Sequence, residues 1–477
     1  MKFSKLLNIA ALLSIACSGS LTFSCKSDEV KSMIILTEAP VNSAEINYLT
    51  GENWRYISQS RIVAINPEKP SDPPQILSGN YFSARVSEIS YDGKSMLFAA
   101  QTKQGDPWQI YEMKLSDKKT HQIISLPENC IDPAYLPGDR TIFSRSLNKD
   151  SIGAGHALYS CKIDGSDLKR ISFHPNSDLA TSTMADGRII TLTQQLKPEL
   201  SGPVLLVLRP DGTKSDVFYF PPKGCNLFSR PQESRTGKLL FVETRENNPN
   251  SGNIISVDQD RPLHSRINLT EAIDGSFKSI THGLKGKYLV SYKSAEATSY
   301  SLCEFDLQAK TVSKAIISDP KYNILEAVIV DAHERPKKLP SEVDSKVKTG
   351  LIMCQDVNVG EEASGNKYSV RPKTESIEIL GLSASLGVVP VEADGSFYLK
   401  VIADKPFRIQ ALDVKGNVIG KPCTWIWMMP NERRGCVGCH ENHDLVPENK
   451  APLSVKKAPV AIPVHIKGIK EKQVTLE

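Results

Sequence analysis

Residues 436–440 read Cys-Val-Gly-Cys-His. Two thiols three positions apart, on one helical turn or a tight loop, reach the two vinyl groups of one porphyrin. The adjacent imidazole then points at the iron, so CxxCH reads as c-type haem attachment. Cys436 and Cys439 are the expected thioether positions of one covalent haem c, and His440 is its expected proximal iron ligand. Two other chemistries use the same residue types. A zinc knuckle needs a fourth ligand close by, and His443 would complete a Cys2His2 set. A redox CxxC disulfide usually sits in a βαβ context, a pattern the surrounding sequence lacks. The intact five-residue motif favours haem, as do Arg433 and Arg434, which flank it and suit haem propionates.

The other face of the iron is left open by the sequence. A downstream methionine is a frequent sixth ligand in small cytochromes, yet no Met follows Met429. His443 shares a short segment with His440 and tends to stay on the proximal side. Met428, Met429 and His465 remain as distal candidates. In the run Trp425-Ile-Trp-Met-Met429 alternate side chains face opposite ways if the chain is extended, so at most one of the two methionines meets the haem. Trp425 and Trp427 are expected to form an apolar wall there. The expectation is a weakly ligated or five-coordinate iron. A filled site favours electron transfer, whereas an open one admits a small molecule.

The elements that must carry this motif begin far upstream. A repeated strand unit runs through residues 30–335, with turn glycines Gly93, Gly138, Gly187, Gly237 and Gly286 spaced 45, 49, 50 and 49 residues apart. Glycine gives a tight turn its positive φ at little cost. A strand rich in Leu, aromatic and β-branched residues follows each turn, as in Lys94-Ser-Met-Leu-Phe-Ala99 and Arg188-Ile-Ile-Thr-Leu192. Four strands per unit at this period predict a β-propeller blade. Five units and an irregular one from Ile34 to Ile76 predict six blades, and the repeats resemble the TolB-like propeller family. His156, His174, His264 and His282 fall within them and are expected to be satisfied turn or core residues rather than ligands.

Around Arg335-Pro-Lys-Lys-Leu-Pro340 the repeat ends in a charged, proline-marked linker. Strand-like runs return at Gly350–Cys354, Ser376–Leu380, Gly387–Val391 and Ser396–Val401, and Asp394-Gly395 signals a hairpin between the last two. The expected fold class is mainly β: a six-bladed β-propeller followed by a smaller β-rich c-type haem domain. Its divisions are a signal over 1–25, the propeller over 30–335, a linker over 336–349, a monohaem cytochrome c-like domain over 350–465 and a tail over 466–477.

Lys2 and Lys5 followed by the apolar run Leu6–Ala16 read as an export signal, too short to span a bilayer. Cys17 and Cys25 each resemble a loose lipobox. Cys25 is preferred for lipidation because the polar run Lys26-Ser-Asp-Glu29 begins directly after it. The expected location is the cell envelope, as a periplasmic or outer-membrane-attached lipoprotein. Cys130, Cys161, Cys225, Cys303, Cys354 and Cys423 show wide, irregular spacing that argues against a zinc cluster. With 58 basic and 54 acidic residues in 477, the chain carries +4, which gives no nucleic-acid footprint.

These pieces together resemble a known family. Val328-Ile-Val-Asp-Ala-His-Glu-Arg-Pro336, Lys348-Thr-Gly-Leu-Ile-Met-Cys-Gln-Asp-Val357, Gly387-Val-Val-Pro-Val-Glu-Ala-Asp-Gly-Ser-Phe397 and Trp425–Glu441, which includes the CxxCH, are similar to proteins related to the alpha subunit of hydrazine synthase. The resemblance implies a propeller beside a haem domain in an envelope location. It does not imply hydrazine synthesis, because that subunit carries two c-type haems and this chain has a single CxxCH. What it carries over is the haem attachment at Cys436, Cys439 and His440. The function expected is an exported monohaem redox protein, passing electrons to a redox partner or acting on a small molecule at the haem. The alternative is a propeller scaffold that binds a protein partner or a glycan, with haem structural or absent.

Overall fold

A computed structural model describes residues 33–43, 55–147, 151–152, 155–193, 202–359, 373–419, 423–438 and 449–464. Cys17, Cys25, Cys439, His440, His443 and His465 lie outside the described residues.

Between residues 34 and 329 six antiparallel sheets follow one another among the described residues. Sheets two to six are each built from consecutive strands, such as Ser83–Ile89, Ser95–Gln101, Gln109–Lys114 and Thr120–Gln122 in the second. The first sheet is different: Tyr322–Ile329 pairs with Ile34–Pro40, so the last repeat strand supplies the innermost position beside the first. Successive sheets touch, and Tyr322–Ile329 also packs on the sixth sheet, which closes the ring. This is a β-propeller. The central strands are buried on both faces, with Val204–Leu208 buried throughout, because each sheet lies between two others. Such strands read as continuous apolar runs rather than alternating ones.

All five repeat glycines have positive φ, from 72° at Gly93 to 90° at Gly187, and each joins the first and second strands of its sheet. At Gly187 the absent side chain matters twice, since a Cβ there would lie 2.1 Å from the Lys337 carbonyl oxygen. The chain after the propeller runs across these turns. His333 N–H donates to Tyr91 O at 3.0 Å and Lys337 N–H to Ala185 O at 3.0 Å, while the Arg335 guanidinium lies 5.3 Å from the Tyr91 ring. The proline-rich linker is thus fixed along one face of the ring.

The second module is two four-stranded sheets. One orders Arg433–Cys436, Thr349–Cys354, Phe397–Ile402 and Val460–Ala461; the other orders Ser385–Pro390, Ser376–Leu380, Arg408–Leu412 and Val418–Ile419. Buried positions alternate along Thr349–Cys354 and Ser376–Leu380, the period of strands with one core face. Ile352, Cys354, Leu399, Ile377, Ile379 and Phe407 fill the space between the sheets. The expected hairpin at Asp394-Gly395 is corrected here. The turn forms, with Gly395 N–H donating to Glu392 O at 2.8 Å. The strands on either side of it, however, belong to different sheets. Ser385–Pro390 pairs with Ser376–Leu380, and Phe397–Ile402 with Thr349–Cys354. A turn signal fixes a reversal of the chain and leaves open which edge each strand joins.

Candidate functional site

Cys436 ends a short strand that runs parallel to Thr349–Cys354, with Cys436 beside Cys354. It is half-buried at the edge of the module core, next to Met428, Cys354 and Cys423. Beyond it Gln355 N–H donates to Cys436 O at 2.8 Å and Asp356 N–H to Val437 O at 3.1 Å. Gly438 passes so close to Val359 that a Cβ would lie 2.3 Å from the Val359 carbonyl oxygen. The first half of the CxxCH is therefore clamped to a sheet, and its thiol-bearing strand is held in place before the second half begins.

What holds that strand is a joint with the propeller. Glu432 is fully buried. Its carboxylate accepts Lys214 N–H at 2.8 Å and Met429 N–H at 2.8 Å, and it pairs with Arg434 at 2.7 Å. Arg434 reaches on to the carbonyls of Ser215 at 3.1 Å and Trp427 at 3.2 Å. Arg434 is consequently turned toward the propeller and not toward a propionate, whereas Arg433 is exposed. Trp427 and Met429 insert among Ile171, Ile189, Leu206 and Leu208 of the propeller. The Trp427 ring sits 5.3 Å from His174, which donates to Asp178 at 2.9 Å.

The alternation expected of Trp425–Met429 is present, and it assigns the two methionines to different sides. Met428 packs in the module core with Cys436 at its edge. Met429 packs in the propeller cluster with Gly212 against its thioether. Trp427 does not form a wall beside Cys436; it packs in the propeller cluster. Trp425 instead lies 4.5 Å under the Arg408 guanidinium.

A second polar site lies along the propeller axis. The innermost strands carry register irregularities at Val86/Glu88, Ile131/Ala134, Leu179/Ser182 and Phe277/Ser279. Bulges re-aim side chains, and residues at or beside these ones include Ser87, Asp132 and Lys278. Arg55 forks onto Asp132, with Nε to Oδ2 at 2.8 Å, and also reaches Glu326 at 3.2 Å. Arg85 takes Glu326 through two contacts, one of them from Nε at 3.0 Å. Burial opposes ionisation of Asp132, but Arg55, Arg85 and Arg230 outweigh it and hold the carboxyl down at about 2. Burial pushes Glu88 up to about 7, against the Tyr135 N–H bond and Arg230. Burial and then Lys293 push Lys278 down to about 7. None of these residues stood out in the sequence. The only signal was charge on strands whose neighbours are apolar.

His156, His174 and His282 are satisfied as expected: His156 meets Tyr56 and Ser177, His174 meets Asp178, and His282 donates to the Glu233 carbonyl at 2.6 Å. Among the described residues no group of His, Cys, Asp and Glu could hold a metal ion.

Comparison with known proteins bears on the same stretch. Residues 342–441 match the family model described as the hydrazine synthase alpha subunit middle domain. Over this stretch the chain is similar to the hydrazine synthase alpha-related proteins. The hydrazine synthase subunit alpha of Kuenenia stuttgartiensis is 38% identical over 55 residues, which are 12% of this chain and 7% of that relative. The solved Kuenenia stuttgartiensis hydrazine synthase superposes with a TM-score of 0.76 at 17% identity, over 89% of this chain and 71% of that one, which shows a shared fold. TolB from Acinetobacter baumannii is 12% identical with a TM-score of 0.43, over 63% of this chain and 66% of that one. The family match begins at Glu342, which accepts an ion pair from Arg209 at 3.0 Å, and ends beside His440. In this chain it therefore spans the propeller joint, most of the module strands and the whole CxxCH.

Proposed function

We propose that this chain is an exported, lipid-anchored monohaem c-type protein of the cell envelope, a six-bladed propeller that carries a β-rich haem domain. Thioethers at Cys436 and Cys439 would hold one haem c and His440 would ligate its iron. The haem would supply one-electron exchange with a redox partner or a small molecule. The observation that carries this reading is the family match over residues 342–441, which includes an intact CxxCH. The donor chemistry fits. Cys436 is half-buried at the edge of the module core, where a thioether could form without displacing the residues between the sheets. Arg433 is exposed three residues before it, available to a propionate. With Met429 committed to the propeller, Met428 and His465 remain as distal candidates, and an iron open on one face is the reading favoured here. Hydrazine synthesis is not proposed, since the chain has a single CxxCH.

The test is a haem-stained denaturing gel and a pyridine haemochrome spectrum of protein made with c-type maturation machinery. Covalent haem is expected at one per chain. Cys436→Ala with Cys439→Ala should abolish it and leave the propeller folded, because Cys436 packs at the edge of the module core. Haem retained through the gel in that double variant would refute the attachment. Reduced protein should bind CO; a low-spin spectrum indifferent to CO would mean a sealed electron carrier. Cys25→Ala should release the mature protein from membranes, since an acyl chain is the expected anchor; release by Cys17→Ala instead would move the lipidation site.

A further inference from the structure

We propose that the cavity on the propeller axis beside Arg230 binds a small oxyanion. Arg230 is 8% exposed and sits in the wall of a small cleft of about 30 Å³, together with Ser87, Gln232, Ser279, Thr281 and Glu326. Its partners are limited. Nη1 donates to the Ser87 carbonyl at 3.0 Å and Nη2 to the Ser87 hydroxyl at 3.3 Å. Nε has no hydrogen-bond partner among the described residues. The closest carboxylate oxygen paired with it, Asp132 Oδ1, is 4.0 Å away.

The neighbouring acids are already spoken for. Asp132 is forked by Arg55 and also accepts Ala180 N–H at 2.8 Å. Glu326 is shared between Arg85 and Arg55. Among the described residues, Arg55, Arg85 and Arg230 all act on these two carboxylates. A buried cation without a counter-charge is costly, and an unsatisfied guanidinium N–H adds to that cost. The remaining acid near Arg230 is Glu88, which accepts Tyr135 N–H at 2.6 Å and is favoured in its neutral form by burial. Arg230 therefore brings to the cleft a planar N–H left without a partner among the described residues, beside the hydroxyls of Ser87, Ser279 and Thr281. Those are the groups that recognise a small planar or tetrahedral oxyanion.

This inference is independent of the haem reading, and its test needs no haem. Nitrate and acetate are titrated into the full chain by calorimetry and thermal unfolding, against sodium chloride at matched ionic strength. Nitrate destabilises most proteins as a bulk salt, so a saturable rise in melting temperature with nitrate is a specific signal. Saturable binding is expected, with Arg230→Gln weakening it at least ten-fold. Should Arg230→Gln fail to fold, Thr281→Val decides, with an expected weakening of at least three-fold. A response indistinguishable from chloride, or unchanged affinity in the deciding variant, overturns the site.

Discussion

Glu88 and Asp132 stand within one wall of the propeller axis and titrate in opposite directions. Asp132 falls from an ordinary 3.8 to about 2, so its contribution is complete above pH 4 and is lost as pH falls toward 2. It amounts to about 2 kcal/mol at 1.36 kcal/mol per unit. Glu88 rises from 4.5 to about 7. Its folded form holds the proton more tightly than the unfolded chain does, so stability is greatest below pH 4.5 and declines as pH rises toward 7, by about 3 kcal/mol. Glu88→Gln keeps an acceptor for the Tyr135 N–H and removes the titration. Urea unfolding at pH 5 and pH 8 should show wild type losing stability relative to the variant as the pH rises, while Lys278 acts alike on both. An equal slope in both proteins would mean that Glu88 is ionised in the folded state at neutral pH.

At the scale of elements, the segment Trp427–Arg434 matters more than its length suggests, because one carboxylate organises it. Glu432→Ala would strip acceptors from the Lys214 and Met429 amides and leave Arg434 without its counter-charge. Breaking a buried pair in this way costs about 3–5 kcal/mol, readable as a fall in the urea midpoint; a loss under about 1 kcal/mol would show that water replaces the carboxylate. Nothing in the sequence pointed to Glu432, since it reads as one more charge in Asn-Glu-Arg-Arg. The repeat strands were legible because Gly turns and apolar runs recur at a fixed spacing, and each such glycine has the positive φ its turn requires. Strand partnership in the second module was not. The Asp394-Gly395 turn sits between strands of opposite sheets, and local sequence specifies a bend without naming the edge that follows. The alternation in Trp425–Met429 was legible too, but which core each face would enter depended on apolar recesses far away in the chain.

Over the whole molecule, the two parts share more than a linker. The ring is closed by Tyr322–Ile329 against Ile34–Pro40, so the propeller requires both ends of its own sequence. The chain then crosses the turns at Gly93 and Gly187 before entering the module. Trp427, fully buried, completes the propeller cluster from the module's side. Separate cores would melt separately, but a tryptophan and a methionine of one unit planted in the other couple them. A single calorimetric transition is therefore expected for the full chain. Trp427→Ala removes the largest of these anchors and leaves a cavity costing about 3–5 kcal/mol, drawn from the contact between units more than from within either. Two resolved transitions should appear in that variant. The lower one should be reported by the module, through Trp425 fluorescence in a background where the remaining tryptophans, Trp54 and Trp108, are replaced by Phe. Two transitions already present in the wild type would show that the joint is too weak to couple the units. One transition merely lowered in temperature would place the coupling in the linker and the Glu432 network.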